Sequence, residues 1–247
     1  MQQKLTKSRK VKYVYGKDNK IKGDMQRIRI TQGCFRQCDY CNEPKKVELY
    51  LEVIDEIKRN KVVILDMNIL DPRKPRLKIL QRLCEKRINQ KRVYYDMKCG
   101  FDYTQIDQTI ANLIYEGYFG HFNKKGKWTR NIKIAWDRGL KEQYKFKDCL
   151  KYLYNAGFKK NQISVFMITN KDIPLWECDL KLDLLKIWNL KVNDCCFDGG
   201  YKVAIPEKWT RKEIDYFRHK CSIHNQAINF QIYPDIKRAY RIQKKRG

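Results

Sequence analysis

The residues with the clearest chemical potential are three cysteines within an eight-residue segment, Cys34, Cys38 and Cys41. Their spacings of four and three residues bring three thiolates within reach of one compact metal group. Soft thiolate ligands select zinc, copper(I) or iron–sulfur clusters. The next cysteine, Cys84, lies far along the chain. A four-iron cluster bound here would therefore keep one iron without a protein ligand, and such an open iron is a position for chemistry.

A zinc site is the main alternative for these cysteines, with a histidine as the fourth ligand. The three histidines of the chain, His121, His219 and His224, are all remote from the cysteines in sequence. Zinc sites also favour paired cysteines two to four residues apart. The spacing therefore favours an iron–sulfur cluster, and zinc or surface cysteines without a ligand role are the competing interpretations.

The pattern C-x3-C-x2-C, with an aromatic residue before its last cysteine, resembles the signature of the radical S-adenosylmethionine (SAM) superfamily. Cys34, Cys38 and Cys41 match the metal ligands of that signature, and Tyr40 matches the aromatic residue. The resemblance implies a 4Fe–4S cluster whose open iron is chelated by the amino and carboxylate groups of SAM. It also implies reductive cleavage of SAM to methionine and a 5′-deoxyadenosyl radical, which abstracts hydrogen from a substrate. A reducing partner such as flavodoxin or ferredoxin is expected, while the protein positions and shields the cofactors.

The elements that must position this loop alternate between short apolar runs and stretches with apolar residues three and four positions apart. That alternation is typical of parallel βα units in an α/β protein. Strands are predicted at residues 26–32, 61–66, 93–96, 131–137, 163–169 and 190–197, with a last strand-like piece at 227–233. Helical faces are predicted within residues 47–57, 77–84, 106–114, 146–153 and 180–188. A capping box at Thr210 and Glu213 predicts the start of one more helix.

The count of six βα units matches the partial (β/α)6 barrel of the TIM type that the resemblance implies, with parallel strands in a single domain. Residues 26–236 are predicted to form the radical SAM core and its C-terminal extension. Residues 1–25 are predicted to be a basic N-terminal arm, and residues 237–247 a basic tail.

Polar side chains follow the predicted strands at their carboxyl ends, where the functional face of such barrels lies. The resemblance implies that Asp66 and Asn68 stand where the family binds the amino group of SAM, although the usual motif there is Gly-Gly-Glu. It places Asp137 where the family often contacts the ribose hydroxyls. Asp96 is a candidate for contact with SAM or with substrate. The alternative for Asp66 and Asn68 is that they cap the next turn, as these residue types often do.

Three further thiols, Cys99, Cys195 and Cys196, are predicted to lie at or near strand ends. A thiol close to a radical could return a hydrogen atom to the product, or carry a thiyl or covalent intermediate. Cysteine is also a small residue that is often simply buried. These three residues are therefore candidate catalytic thiols, with packing as the alternative.

The charge of the chain is strongly positive, with 54 lysines and arginines against 28 acidic residues and a net charge of +26. Such a field attracts polyanions, and it favours RNA or a nucleotide as the substrate. A lysine-rich composition that covers every solvated face is the alternative. Other interpretations are a peptide or small-metabolite substrate, and a metal-containing protein that binds nucleic acid without catalysis.

No secretory leader and no membrane-spanning apolar run are evident, so we expect a cytoplasmic protein in which the ten cysteines stay reduced.

Overall fold

The computed structural model describes residues 16–36, 38, 40–197 and 207–230. The predicted basic tail and residues 1–15 of the predicted N-terminal arm lie outside these residues. Residues 18–22 of that arm form an edge strand of the main sheet. Among the described residues, no helix has the length and apolar character needed to cross a membrane.

Five α-helices and fourteen strands make up the described part of the chain. The strands are β1 (Asp18–Lys22), β2 (Met25–Arg29), β3 (Thr31–Gln32), β4 (Glu48–Leu49), β5 (Lys61–Ile64), β6 (Arg87–Ile88), β7 (Lys91–Arg92), β8 (Tyr94–Met97), β9 (Phe101–Asp102), β10 (Phe119–Phe122), β11 (Trp128–Thr129), β12 (Ile132–Ala135), β13 (Ile163–Thr169) and β14 (Lys191–Cys196). The helices are α1 (Arg76–Glu85), α2 (Gln108–Glu116), α3 (Gln143–Asn155), α4 (Leu175–Trp188) and α5 (Arg211–Asn229).

The larger sheet is mixed and has the strand order β1-β2-β5-β8-β10-β11. Its inner strands β2, β5, β8 and β10 are parallel, and the outer strands β1 and β11 add antiparallel edges. The smaller sheet, β14-β13-β12-β9, is wholly parallel. These sheets, with helices in the connections, confirm the prediction of an α/β protein.

The two sheets are joined by a short stretch of chain between β8 and β9. β8 ends at Met97 and pairs with β10, whereas β9 begins at Phe101 and pairs with β12. Gly100 lies in the connection with a φ of +74°, and a Cβ there would stand 2.9 Å from the carbonyl oxygen of Lys133. A residue without a side chain is therefore required where the two sheets come together.

Each predicted parallel strand has a counterpart in β2, β5, β8, β12, β13 and β14, and the capping box at the start of α5 is confirmed. The helix predicted within residues 47–57 is wrong, because this segment contains β4 and a single 3-10 turn at Leu51–Ile54. The backbone N–H of Tyr50 donates to the carbonyl of Ile30 at 2.8 Å, and β4 pairs with β3. The apolar spacing reflects burial of Val53 and Ile54, not a full helix.

The strand predicted at 227–233 is also wrong for residues 227–229, which form the last turn of α5. Cys221, His224 and Ala227 are buried at three-residue intervals, which is helical spacing. Residues 231–233 lie outside the described residues. The antiparallel hairpin of β10 and β11 was not predicted.

The hydrophobic core packs the helices against the sheets. In the second half of the chain, Trp136 of the β12 end stacks on Phe146 of α3, with ring centroids 4.5 Å apart, and Trp188 of α4 lies beside both rings. The buried face of α4 differs from prediction, since Leu180 is 47% exposed and the neighbouring Lys181 is fully buried.

Candidate functional site

A cavity of about 310 Å³ lies at the carboxyl ends of β5, β9 and β12. All three cysteines of the motif line it, so the structure brings the predicted metal ligands together. Its volume is at the lower end of the range typical of small-molecule sites. The lining residues are Cys34, Arg36, Cys38, Tyr40, Cys41, Met67, Asn68, Cys99, Gly100, Asp102, Tyr103, Ala135, Asp137, Arg138 and Asp172.

Asp66 is fully buried and holds the chain that enters the cysteine loop. Its Oδ2 accepts a hydrogen bond from the backbone N–H of Ile30 at 3.0 Å. Its Oδ1 accepts from the backbone N–H and the hydroxyl of Thr31, both at 2.6 Å. Burial raises the pKa of Asp66. Asp66 is not among the described residues that line the cavity, and these hydrogen bonds hold the chain after β2, not the next turn that the alternative assigned to it.

Two more carboxylates anchor the cysteine loop itself. Glu43 accepts from the backbone N–H of Gly33 at 2.7 Å, and the buried Asp71 accepts from that of Phe35 at 2.8 Å. Gly33 has a φ of +95°, and a Cβ there would collide with the backbone of Lys46. The loop is therefore held by backbone hydrogen bonds to side chains distant in sequence, which leaves the three thiols available to the cavity.

Asn68 lines the cavity and contacts the first cysteine. Its Nδ2 lies 3.7 Å from the sulfur of Cys34 and 3.4 Å from Oδ2 of Asp102. Its Oδ1 accepts from the backbone N–H of Leu70 at 3.1 Å, an Asx turn. The backbone N–H of Arg36 also lies 3.5 Å from the Cys34 sulfur. Two N–H donors thus face one sulfur.

Arg36 and Asp102 form a bidentate ion pair on the cavity wall that sequence reasoning missed. Nε and Nη2 of Arg36 donate to the two oxygens of Asp102 at 2.8 and 3.1 Å. The Thr104 backbone N–H and hydroxyl also donate to Asp102, which caps the turn that follows β9. Asp102 follows an apolar residue at a strand end, so the strand-end signal used for Asp96 could have found it.

Asp137 lines the cavity at the end of β12, as predicted. Its Oδ1 accepts from the backbone N–H of Ile168 at 3.2 Å. Burial raises the pKa of Asp137 to about 6, against the opposing attraction of Lys181. Burial and the nearby Asp137 raise the pKa of Tyr40, so its hydroxyl stays neutral. The motif aromatic and the strand-end acid therefore line the same cavity and lie close enough to influence each other's pKa.

Lys181 of α4 is a second residue that sequence reasoning missed. It is fully buried, and its ammonium donates to the carbonyl of Trp136 at 2.6 Å and to that of Arg138 at 3.0 Å. It also lies 4.8 Å from the centre of the Trp136 ring. Burial lowers the pKa of Lys181 to about 8. The two carbonyls flank Asp137 in sequence, so Lys181 fixes the backbone that presents that carboxylate.

Asp96 is placed apart from the other candidates. It is fully buried, and its oxygens contact Nζ of Lys133 at 3.0 Å, Nζ of Lys98 at 3.1 Å and Nδ1 of His121 at 3.0 Å. Although burial opposes ionisation, the two ammonium groups hold the pKa of Asp96 below its usual value. Asp96 is absent from the described lining of the cavity, and its carboxylate is the centre of an ion-pair network.

The three candidate thiols have different surroundings. Cys99 lines the cavity with its sulfur 3.2 Å from that of Met67, and burial raises the pKa of Cys99 to about 11. Cys195 and Cys196 are consecutive in β14, so they point to opposite faces of the sheet. Cys195 is exposed, whereas Cys196 packs against the hydrophobic core. In the part of the chain that is described, neither of them lines the cavity.

The donor set at the cavity suits an iron–sulfur cluster. Cys34, Cys38 and Cys41 are free thiols on one wall, and N–H donors face the Cys34 sulfur. Hydrogen bonds to ligand sulfurs are one of the means by which proteins tune such clusters. Among the described residues, no group of three or more histidine, cysteine, aspartate or glutamate side chains is arranged to hold a single metal ion.

Comparison with known proteins does not extend this picture: no family model matches the chain, and no curated protein matches it significantly. The function is therefore argued from the geometry and chemistry of the site itself.

Proposed function

We propose that this protein is a radical SAM enzyme, which reductively cleaves S-adenosylmethionine at a 4Fe–4S cluster and abstracts hydrogen from a substrate. The observation that carries the proposal is the common cavity of Cys34, Cys38 and Cys41, at the carboxyl ends of parallel strands. Tyr40 and Asp137 line the same cavity.

The fold proposed for this enzyme is a partial (β/α)6 barrel made of the six predicted strands. Their spatial order β2-β5-β8 and β12-β13-β14 follows their order along the chain. The passage from β8 to β9, and the pairing of β9 with β12, link the two series. In this arrangement the cavity lies at the functional end of the barrel.

The cluster is assigned to Cys34, Cys38 and Cys41, and with SAM it would supply a reducing electron and a carbon-centred radical. The chain contributes the geometry around it. Asn68 and the backbone N–H of Arg36 face the Cys34 sulfur, where hydrogen bonds would tune a bound cluster. An external reductant such as flavodoxin or ferredoxin is part of the proposal.

SAM is assigned to the same cavity. Asp137 is the proposed acceptor for the ribose hydroxyls. Asp66 does not line the described cavity, and the oxygens of Asp102 already accept from Arg36 and Thr104, so no carboxylate is assigned to the ammonium group of SAM.

Cys99 is the proposed hydrogen-atom donor among the three candidate thiols. It lines the cavity, and burial keeps its pKa near 11, so it carries the S–H bond that such a role requires. Cys195 and Cys196 do not share the described cavity wall, and no catalytic role is proposed for them.

The test is anaerobic reconstitution with iron and sulfide, followed by SAM and dithionite, and measurement of 5′-deoxyadenosine release. The proposal predicts a brown iron–sulfur absorbance and release of 5′-deoxyadenosine, both lost in Cys38→Ala. The matched control is Cys84→Ser, because Cys84 lies on α1 outside the cavity and its sulfur faces the carbonyl of Leu113 at 3.2 Å. Bound zinc with no turnover of SAM would reject the enzyme and favour a non-catalytic, metal-containing protein that binds nucleic acid.

A further inference from the structure

One face of β13 and β14 is open beside the cavity, while the same face of β12 is covered in part by β8, whose Asp96 holds the Lys133 ammonium at 3.0 Å. On β13 the residues Val165 and Met167 are fully buried towards the helices, whereas Phe166 between them is half-buried. On β14, Val192 is buried, while Asn193 is half-buried. Because side chains alternate along a strand, Phe166 and Asn193 point to the side away from the helices.

The parallel register arranges the side chains of this open face in rows. The row next to the cavity contains Ala135, Phe166 and Asn193, since Ala135 pairs with Phe166 and Phe166 pairs with Asn193. The row beneath it contains Lys133 and Lys191, which flank Ser164 by the same pairings. Successive rows on one face are about 7 Å apart, because each residue of a strand advances about 3.3 Å.

We call Lys133, Phe166, Lys191 and Asn193 the basic–aromatic surface. It touches the cavity through Ala135, which lines the cavity and pairs with Phe166. A group bound over Phe166 would therefore lie directly beside the site assigned to the cluster and SAM.

The chemistry of the basic–aromatic surface matches the parts of a nucleotide. A phenyl ring is a platform on which any nucleobase stacks. The Asn193 amide offers both a donor and an acceptor, the functions displayed by the edge of a base. Asp96 holds the Lys133 ammonium at 3.0 Å, and this ammonium lies 5.9 Å from the centre of the Phe166 ring. Lys191 belongs to the row beneath Phe166, so a phosphate attached to a nucleotide stacked on that ring would have two lysines nearby.

The charge of this region is positive on balance. Lys133 and Lys98 share the single carboxylate of Asp96, so these three residues carry an excess positive charge, and Lys191 adds another. Asp194, the acid of β14, lies on the opposite face of the strand, where it pairs with Arg218 and accepts from Thr169. The cavity carboxylates Asp102 and Asp137 lie at the other end, where no phosphate is assigned.

We infer that the basic–aromatic surface binds a nucleotide unit of a single-stranded nucleic acid, with its base on Phe166 and its phosphate at Lys191 and Lys133. The inference rests on the proposed function only for the role of the neighbouring cavity. The net charge of +26 favours a polynucleotide over a free nucleotide, because a polyanion gains attraction from the whole protein.

The test is the fluorescence anisotropy of a labelled, short single-stranded RNA titrated with the reconstituted full-length protein over a series of salt concentrations. Phe166→Leu is expected to weaken binding roughly 5- to 100-fold through loss of stacking. Lys191→Gln is expected to weaken binding and to lower the slope of log affinity against log salt by roughly 0.7, the value for one phosphate contact on a single strand.

The matched controls lie on α3, on the helix side of the sheet. Tyr144→Leu removes an exposed aromatic ring and Lys147→Gln removes an exposed charge, and both are expected to bind RNA as the unchanged protein does. Asn193→Ala truncates a polar side chain on the same open face and is expected to weaken RNA binding severalfold. This variant tests the inference if Phe166→Leu folds poorly.

Three comparisons decide the inference. The inference is overturned if Phe166→Leu and Lys191→Gln bind RNA as tightly as the α3 controls do. The positive charge would then reflect a lysine-rich composition spread over the whole surface. A mononucleotide that competes as well as RNA would overturn the polynucleotide part, and DNA of the same sequence tests whether the ribose hydroxyl is read. RNA binding is measured separately from release of 5′-deoxyadenosine, so loss of one with retention of the other shows which proposal failed.

Discussion

The ends of β5 and β12 carry the same kind of residue in the same position of the fold, yet they do different things. Asp66, after β5, is fully buried and accepts three hydrogen bonds from Ile30 and Thr31. Asp137, after β12, faces the cavity and accepts a hydrogen bond from the backbone N–H of Ile168 at 3.2 Å.

The role of an acid at a strand end therefore depends on its hydrogen-bond partners more than on its place in the sheet. A carboxylate whose oxygens are already occupied supports the backbone, and one that faces a cavity with capacity to spare can bind a ligand. Asp96 is a third case, in which lysines and a histidine occupy the carboxylate.

The largest effect is expected from Asp66→Ala. Loss of the carboxylate leaves the N–H groups of Ile30 and Thr31 buried without acceptors, which costs about 3–5 kcal/mol of unfolding free energy. Urea denaturation measures the loss, and the iron content after reconstitution should fall because the cysteine loop loses its anchor. Asp215→Ala, at an exposed position of α5, is the control and should change neither quantity. A stable Asp66→Ala protein that loses only SAM affinity would show that Asp66 is a ligand residue after all.

Lys181→Met is expected to have the next largest effect, and it acts on the backbone that presents Asp137. It leaves the carbonyls of Trp136 and Arg138 without their buried donor and costs about 2 kcal/mol. Because those carbonyls flank Asp137, SAM affinity should fall more than the stability loss alone explains, and Lys181→Arg should restore part of it. Isothermal titration with SAM measures this effect, with the exposed Lys147→Met as the control. Unchanged SAM affinity in Lys181→Met would show that Lys181 does not position Asp137 for SAM binding.

The α/β class, the six parallel strands and the common cavity of the three cysteines could be predicted because they depend on local patterns. Six strands follow from apolar runs, and the spacing of Cys34, Cys38 and Cys41 places them together. The role of Asp66 could not be predicted, because its donors lie about 35 residues earlier and a sequence does not show which of them it meets. Lys181 was hidden for a related reason. Lysines in helices are normally exposed to solvent. In α4, however, the orientation of the helix exposes Leu180 and buries the neighbouring Lys181.

Asp137→Asn should reveal the cost of keeping a carboxylate in the cavity wall. Burial raises the pKa of Asp137 from 3.8 to about 6, so the folded state binds more protons than the unfolded state between these values. The contribution of Asp137 to stability is therefore lost as pH rises from about 4 to about 6. Asp137→Asn should match the unchanged protein near pH 4 and be more stable by roughly 1–3 kcal/mol at pH 7, while binding SAM more weakly.

Urea denaturation of both proteins over this pH range measures the difference, and Asp215→Asn controls for the loss of an exposed charge. A difference that does not vary with pH would mean that Asp137 is as well satisfied by its partners as Asp66 is. The contrast between the two strand ends would then disappear.

The smallest effect is expected at Asn68, which shares features of both regions because its oxygen caps a turn and its nitrogen faces the Cys34 sulfur. Asn68→Ala loses both contacts and should cost about 1 kcal/mol. Asn68→Asp keeps the acceptor for Leu70 but replaces the donor to sulfur with a negative charge beside Asp102. It should therefore retain more of the stability and make the cluster harder to reduce, because a donor to the ligand sulfur raises the reduction potential. A redox titration followed by electron paramagnetic resonance measures the potential. An unchanged potential in both variants would assign Asn68, like Asp66, to the support of the loop alone.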